Sequence, residues 1–280
     1  MSAVEPLGYA ILDPTGNITA LVETPVDPAR QPETAAALMA RHPQVEQVGF
    51  LSPPAEGAVR GTLRMAGGEF CGNATMSAAA LAFLDDSSDA GEGPRRVLFR
   101  VSGAADPVEV RLERETGDSV RAGVKMPPAL GIETRPFVYE TKRRDLPVVW
   151  MEGISHIVIE PGSPFWSLLR DRSAAEEAVR NWCQELGADG LGLMFLDASG
   201  ARLTPLVYVP GSGTVFWENS CASGTSAAGM VLAARAGEKV ALSLTEPGGV
   251  LRVESDPAGG TWLYGRARLV GRYVLPRDER

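Results

Sequence analysis

Short runs of alternating apolar and polar residues, punctuated by Gly, Pro, Asp and Asn, recur along the chain and predict a protein built mainly of strands. In the first half such runs cover 9–13, 18–22, 48–51, 62–65, 97–101, 108–113 and 120–126, with the turn Pro14-Thr15-Gly16-Asn17 joining the first two. In the second half they cover 147–151, 156–160, 193–196, 203–209, 241–245, 250–254 and 262–269. Helical spacing replaces alternation over 34–41, ended by His42-Pro43, and over 173–186, where Ser173-x-x-Glu176 reads as a capping box and Gly187 as the stop. The polar segment 85–95, which contains Gly and Pro, reads as an exposed loop.

Two further helical stretches share a rarer beginning. Gly67-Gly68-Glu69-Phe70-Cys71-Gly72-Asn73 runs into an Ala-rich stretch with Met76, Ala79, Ala80 and Phe83 on one face. Glu218-Asn219-Ser220-Cys221-Ala222-Ser223-Gly224-Thr225 runs into another, with Ala227, Met230, Val231 and Ala234. Each thiol therefore stands at a helix mouth, where free N–H groups and the positive end of the dipole stabilise a carboxylate or a thiolate. The elements around the two segments follow the same order in both halves, and Gly16-Asn17-Ile18-Thr19 lies over Gly153-Ile154-Ser155-His156. The economical expectation is an internal duplication with a pseudo-twofold axis and both cysteines facing one cleft.

A length of 280 residues favours two domains of roughly 100 to 150 residues each. The expected fold is α+β, with two pseudo-symmetric lobes, each a mixed sheet curled around a central helix. The N-terminal lobe is placed at 1–127 with a returning strand at about 270–280, and the C-terminal lobe at 128–269. A net charge of -8 with no basic run argues against nucleic acid or an anionic membrane as partner, and no apolar run is long enough to span a bilayer. The segment Met1-Ser2-Ala3-Val4-Glu5-Pro6 lacks the features of a secretion signal, so a cytoplasmic location is expected. Three cysteines, an odd count, then read as reactive or buried thiols. There is no dinucleotide fingerprint or phosphate loop, and the two histidines stand too far apart for a zinc cluster, so neither cofactor nor metal is expected.

Two like acid/base groups on opposite sides of a small anion are what a racemase requires. One removes the α-proton, the other delivers a proton to the opposite face, and the roles exchange in reverse. Cys71 and Cys221 are the candidates, with the α-carboxylate bound by Gly72, Asn73, Ser223, Gly224 and Thr225, chiefly through backbone N–H groups. Asn17 is either turn chemistry or a substrate ligand, and His156 either a strand-end residue or part of the site. Glu69 and Glu218 are either solvated loop charges or carboxylates for the substrate ammonium. Glu46, Gln47 and Tyr208 are guesses for side-chain recognition. Cys183, within the amphipathic pattern beside Val179 and Leu186, reads as a core residue.

Over nearly its whole length the chain resembles the cofactor-independent amino-acid racemases and epimerases of the diaminopimelate epimerase fold, a group that includes proline racemase and isomerases related to phenazine biosynthesis. The resemblance rests on Glu69-x-Cys71-Gly72-Asn73, Ser220-Cys221-x-x-Gly224-Thr225, Gly16-Asn17, Gly153-x-x-His156 and the returning strand around Arg266-Ala267-Arg268. It implies a homodimer acting on an amino acid without a cofactor.

Diaminopimelate epimerases hold the far end of their substrate with polar residues where this chain has Ala66, Ile154 and Val209-Pro210, and Met76 replaces an expected Arg. Losing these anchors together removes recognition of a second zwitterionic head. The variant pattern Met65-Ala66-Gly67-Gly68-Glu69-Phe70-Cys71-Gly72-Asn73-Ala74, with Glu218-x-x-Cys221, is similar to the histidine racemases that feed D-histidine to opine-type metallophore synthesis. Racemisation of another amino acid, and a non-catalytic dithiol protein that binds or senses redox state, remain as alternatives.

Overall fold

The computed structural model describes residues 6–54, 57, 59–86, 93–211, 213–258 and 260–276. Most of the predicted loop at 85–95, and nearly all of the N-terminal segment read for a targeting signal, lie outside them. In chain order the first half contains β1 (Leu7–Pro14), β2 (Thr19–Val22), α1 (Gln31–Arg41), β3 (Gln47–Ser52), β4 (Gly61–Met65), α2 (Gly72–Leu84), β5 (Arg95–Val101), β6 (Val108–Arg114) and β7 (Ser119–Met126). The second contains β8 (Gly131–Tyr139), β9 (Lys142–Trp150), β10 (Ser155–Ile159), α3 (Arg172–Leu186), β11 (Leu191–Asp197), β12 (Arg202–Val209), β13 (Thr214–Trp217), α4 (Ala222–Ala236), β14 (Val240–Glu246), β15 (Gly249–Asp256) and β16 (Gly260–Leu275). No helix among the described residues is long and apolar enough to cross a membrane.

The chain divides into two compact units, Met1–Lys125 with Tyr264–Arg280, and Met126–Leu263. Parallel and antiparallel neighbours occur in both, so the fold is α+β with mixed sheet. In the first unit β2 runs parallel to β3 and β4 parallel to β5, each crossover carrying a helix, while β1–β2, β3–β4, β5–β6 and β6–β7 are antiparallel. The last strand follows β7 in the strand order and also pairs with β1 from Leu7↔Leu275 to Pro14↔Ala267, with a bulge between Ile11 and Leu12. This pairing closes the strands of the first unit into a ring. Gly72 through Leu81 and Phe83 of α2 are all buried, so the helix lacks the polar face of a surface helix and belongs to the core of its unit.

The second unit repeats the scheme. β10 is parallel to β11 and β12 to β14, again across helices, while β9–β10, β11–β12 and β14–β15 are antiparallel. α3 buries Ala175, Ala178, Val179, Trp182 and Cys183 on one stripe, and Trp182 packs against Phe137 and Phe165. Its N-cap is Asp171, whose Oδ1 accepts from Ala174 N–H at 3.1 Å, rather than the expected Ser173. Asp171 stands one residue outside the first turn, where its carboxylate meets a free N–H. Gly187 ends the helix at φ 63 as expected. α4 approaches β15 closely at Gly229, where a β-carbon would stand 2.5 Å from a Val253 methyl.

The sequence reading missed β8, the first half of β9, and β13. β8 exposes Glu133, Thr134, Arg135 and Pro136 in succession. A solvated edge hairpin need not alternate, and that removes the signal used to find it. The strand predicted at 262–269 and the returning strand placed at about 270–280 form one continuous element, β16, over Gly260–Leu275.

Candidate active site

Cys71 and Cys221 occupy the same structural position in their respective units. Each is the N-cap of its helix with extended backbone, at φ -133 and ψ 114 for Cys71 on α2, and φ -127 and ψ 104 for Cys221 on α4. Each carbonyl accepts the N–H of the residue four on, Thr75 or Thr225, at 2.9 Å, and the hydroxyl of the same threonine at 2.7 Å. The two small-residue sequences thus build matching sulfur-bearing helix starts.

In the first unit the thiol heads a polar chain. Ala74 N–H lies 3.4 Å from Cys71 Sγ, and Sγ lies 2.9 Å from Gln47 Oε1. Gln47 Nε2 donates to Thr19 Oγ1 at 2.7 Å, and Thr19 donates to the Asn17 carbonyl at 3.0 Å. Asn17 is buried, and its Nδ2 donates to Glu46 Oε2 at 2.8 Å. Asn17, Glu46, Gln47 and Cys71 therefore form one connected group. Gly72 and Asn73 are buried in the first turn of α2. Glu69 is exposed and folds back so that a β-carbon on Gly67 would lie 2.4 Å from its Oε2, the geometry of a loop carboxylate.

In the second unit Cys221 is buried. Burial raises its thiol well above the ordinary cysteine range, and the charge and hydrogen bond of Glu218 raise it further, while bonds from Gly224 N–H and Ser223 oppose the shift. Ser223 Oγ lies 3.6 Å from the sulfur. The Glu218 carboxylate thus addresses the thiol directly in this state. Thr225 is fully buried, and its hydroxyl is taken up by the Cys221 carbonyl and Glu246 at the start of α4.

His156 has no exposure at all, and among the described residues neither ring nitrogen has a hydrogen-bond partner. Burial lowers its pKa to about 3, leaving a neutral ring. A β-carbon on Gly192 would stand 2.3 Å from its Nδ1 and 2.6 Å from the Met194 methyl. One on Gly224 would stand 2.1 Å from Met194 Sδ and 3.2 Å from Cys221 Sγ. Met194 therefore fills the space between the imidazole and the start of α4.

Three residues escaped the sequence reading. Thr19 reads as an ordinary strand threonine, and Met194 as a core methionine. Glu246, ahead of Pro247-Gly248-Gly249, reads as a turn charge, yet it is buried and accepts from Cys221 N–H at 2.9 Å. Burial raises its pKa to about 8, with Glu218 adding to the shift and the Thr225 and Cys221 bonds opposing it. Cys183 is buried in the α3 core, with Sγ 3.2 Å from the Ala188 carbonyl. Tyr208 stacks under Arg180 on the face of its unit that packs against α3.

The family model described as the histidine racemase CntK N-terminal domain matches residues 7–262. A histidine racemase of Staphylococcus aureus is 31% identical over 225 residues, covering 79% of this chain and 78% of the relative. One of Fusobacterium nucleatum is 29% identical over 238 residues, covering 82% of both. A probable proline racemase from Agrobacterium radiobacter, solved with bound carbonate, superposes with a TM-score of 0.67 at 15% identity over 97% of this chain and 93% of that one. That structural likeness speaks to the fold alone.

Proposed function

The chain belongs to the histidine racemase family, and from that premise we propose that it interconverts L- and D-histidine without a cofactor, using Cys71 and Cys221 as opposed acid and base. The supporting observation is the matched placement of the two cysteines, each an extended N-cap opening a buried helix. One sulfur, as thiolate, takes the α-proton. The other, as thiol, gives its proton to the opposite face of the same α-carbon. Each turnover exchanges the two protonation states, so the return reaction needs no further reagent. Racemisation of this kind requires both thiols to reach one carbon, and the proposal therefore includes the pseudo-symmetric two-lobe arrangement with a central helix in each lobe.

The α-carboxylate is assigned to the first-turn N–H groups of α2 and α4, at Gly72, Asn73, Ser223 and Gly224, while the N–H of Thr225, expected among them, is committed to the Cys221 carbonyl. There the donors are in place before charge develops on the carboxylate in the transition state. Glu218 is assigned the α-ammonium. The pairing would draw its carboxylate from Cys221 and lift the burden that keeps that thiol protonated. Asn17 and Glu46 are placed on the substrate side of the Gln47 chain, and Glu69 at the loop before α2. His156 acts as a neutral ring behind Met194. A homodimer in the cytoplasm, supplying D-histidine for metallophore synthesis, completes the reading.

Incubating the reduced protein in D2O with L-histidine, L-diaminopimelate and a panel of other L-amino acids tests it. Loss of the α-proton signal and appearance of the D-enantiomer with histidine is the expected result. Absence of exchange with histidine sinks the assignment.

A further inference from the structure

Glu246, at the end of β14, contacts the backbone of Cys221 rather than its sulfur. Resting on the two-thiol reading above, we propose that Glu246 is a positioning residue held as a neutral carboxylic acid, which clamps Cys221 at the start of α4 while keeping negative charge away from its thiol.

The protons at this contact can be counted from the oxygens that share them. Glu246 Oε2 accepts from Cys221 N–H at 2.9 Å. Glu246 Oε1 is hydrogen-bonded with Thr225 Oγ1, and that same Oγ1 lies 2.7 Å from the Cys221 carbonyl. The threonine hydroxyl has one proton and faces two oxygens. Were it given to an ionised Glu246, the hydroxyl and carbonyl oxygens of the second contact would face each other with lone pairs only. With the proton on Glu246 Oε1, the acid donates to Thr225, Thr225 donates to the Cys221 carbonyl, and every close oxygen pair contains one hydrogen. The first unit supplies the control, since Thr75 makes the same 2.7 Å bond to the Cys71 carbonyl. Giving the hydroxyl proton to the cysteine carbonyl is therefore the pattern common to both helix starts.

The surroundings agree with this count. Glu246 is 3% exposed. Glu218 is the charged group that acts on it, with the same sign, and burial is the larger influence. On the neighbouring strands, Glu246 itself lies opposite Gly249 of β15, while Arg202 of β12 lies opposite Thr245. The first turn of α4, Ala222-Ser223-Gly224-Thr225-Ser226, carries no charge. The turn after β14 is fastened to the segment before Cys221 by Gly248 N–H donating to the Asn219 carbonyl at 2.7 Å. An ionised Glu246 would put a second carboxylate beside a thiol that must ionise in one direction of the reaction.

Infrared spectroscopy tests the protonation without using activity. Below neutral pH the wild type is expected to show the C=O stretch of a buried protonated carboxyl. The stretch should fade as pH rises through about 8 and be missing in Glu246→Gln, whose amide keeps both hydrogen bonds. In the racemase assay Glu246→Gln should retain at least about tenfold more kcat than Glu246→Ala and lose the alkaline decline of the wild type. No carboxylic-acid band in the folded wild type would overturn the proposal, whatever the activity. So would a Glu246→Gln enzyme that keeps the wild-type alkaline limb or is as impaired as Glu246→Ala. A protein with the band but no racemase activity would refute the function assigned above and leave the protonation state standing.

Discussion

Gln47 Oε1 lies 2.9 Å from Cys71 Sγ, and Gln47 Nε2 is committed to Thr19. A carbonyl oxygen accepts and does not donate, so Cys71 in this state is the donor and holds its proton. Turning the amide over would offer the sulfur an N–H group suited to a thiolate, but only if Thr19 gave up its bond to the Asn17 carbonyl. The protonation of Cys71 is thereby tied to a chain of polar groups ending at Glu46.

Gln47→Glu replaces a neutral acceptor by an anionic one, which binds the thiol proton more strongly. In a Cys183→Ser/Cys221→Ser background, alkylation of Cys71 by iodoacetamide at neutral pH is expected to slow by about tenfold, reflecting a smaller thiolate fraction. Unchanged or faster alkylation contradicts the donor assignment.

Removing either proposed acid/base sulfur should abolish racemisation. Cys71→Ser and Cys221→Ser are each expected to lower kcat by at least about a thousandfold. Cys183→Ser, altering a thiol in the α3 core, should cost about 1 kcal/mol of stability and leave kcat nearly intact. Chiral chromatography of the products decides. Full activity in either of the first two variants would end the two-thiol mechanism.

The buried His156 gives stability a dependence on acid. Its pKa falls from 6.5 in the unfolded chain to about 3 in the fold. Its neutral form is the one the fold accommodates, so the contribution is complete above pH 6.5 and is lost as pH falls toward 3. The ceiling is about 5 kcal/mol. Urea midpoints measured across this range should fall more steeply for the wild type than for His156→Gln. Parallel curves would show that the ring does not titrate as its burial requires.

Gly224→Ala would drive a methyl to within 2.1 Å of Met194 Sδ beside the Cys221 sulfur. Met194 is fully buried and has little room to yield. A loss of about 1–3 kcal/mol is expected, with a reduced kcat. Met194→Ala in the same chain should recover part of both, and a double-mutant cycle showing no coupling between the two sites would refute the contact.

Much of this arrangement is legible in the sequence, because the strands with one buried face alternate and the two cysteine segments precede unusually Ala-rich runs. The helix starts at Cys71 and Cys221 and the stop at Gly187 follow from short-range chemistry alone. Glu246 is not legible in that way. Its carboxyl is buried by α4 folding over β14, and a Glu before Pro-Gly-Gly looks locally like a solvated turn. Gln47 is hidden for a related reason, since its meaning depends on Thr19 and Cys71 meeting across separate elements. β8 and the first half of β9 are not legible, because exposed residues such as Arg135 and Arg143 carry no alternation to detect.

The pairing of β1 with the far end of β16 also sets an order on biosynthesis. Leu7 must wait for Leu275, so a strand made early is among the last to find its partner. The intervening unit, Met126–Leu263, is complete in the nascent chain before that partner has been made. During this interval β1 and β7 present unpaired edges of the kind that draw chains together. A message truncated before the codons for β16 would therefore yield a polypeptide with Cys71 and Cys221 present and its first unit left open.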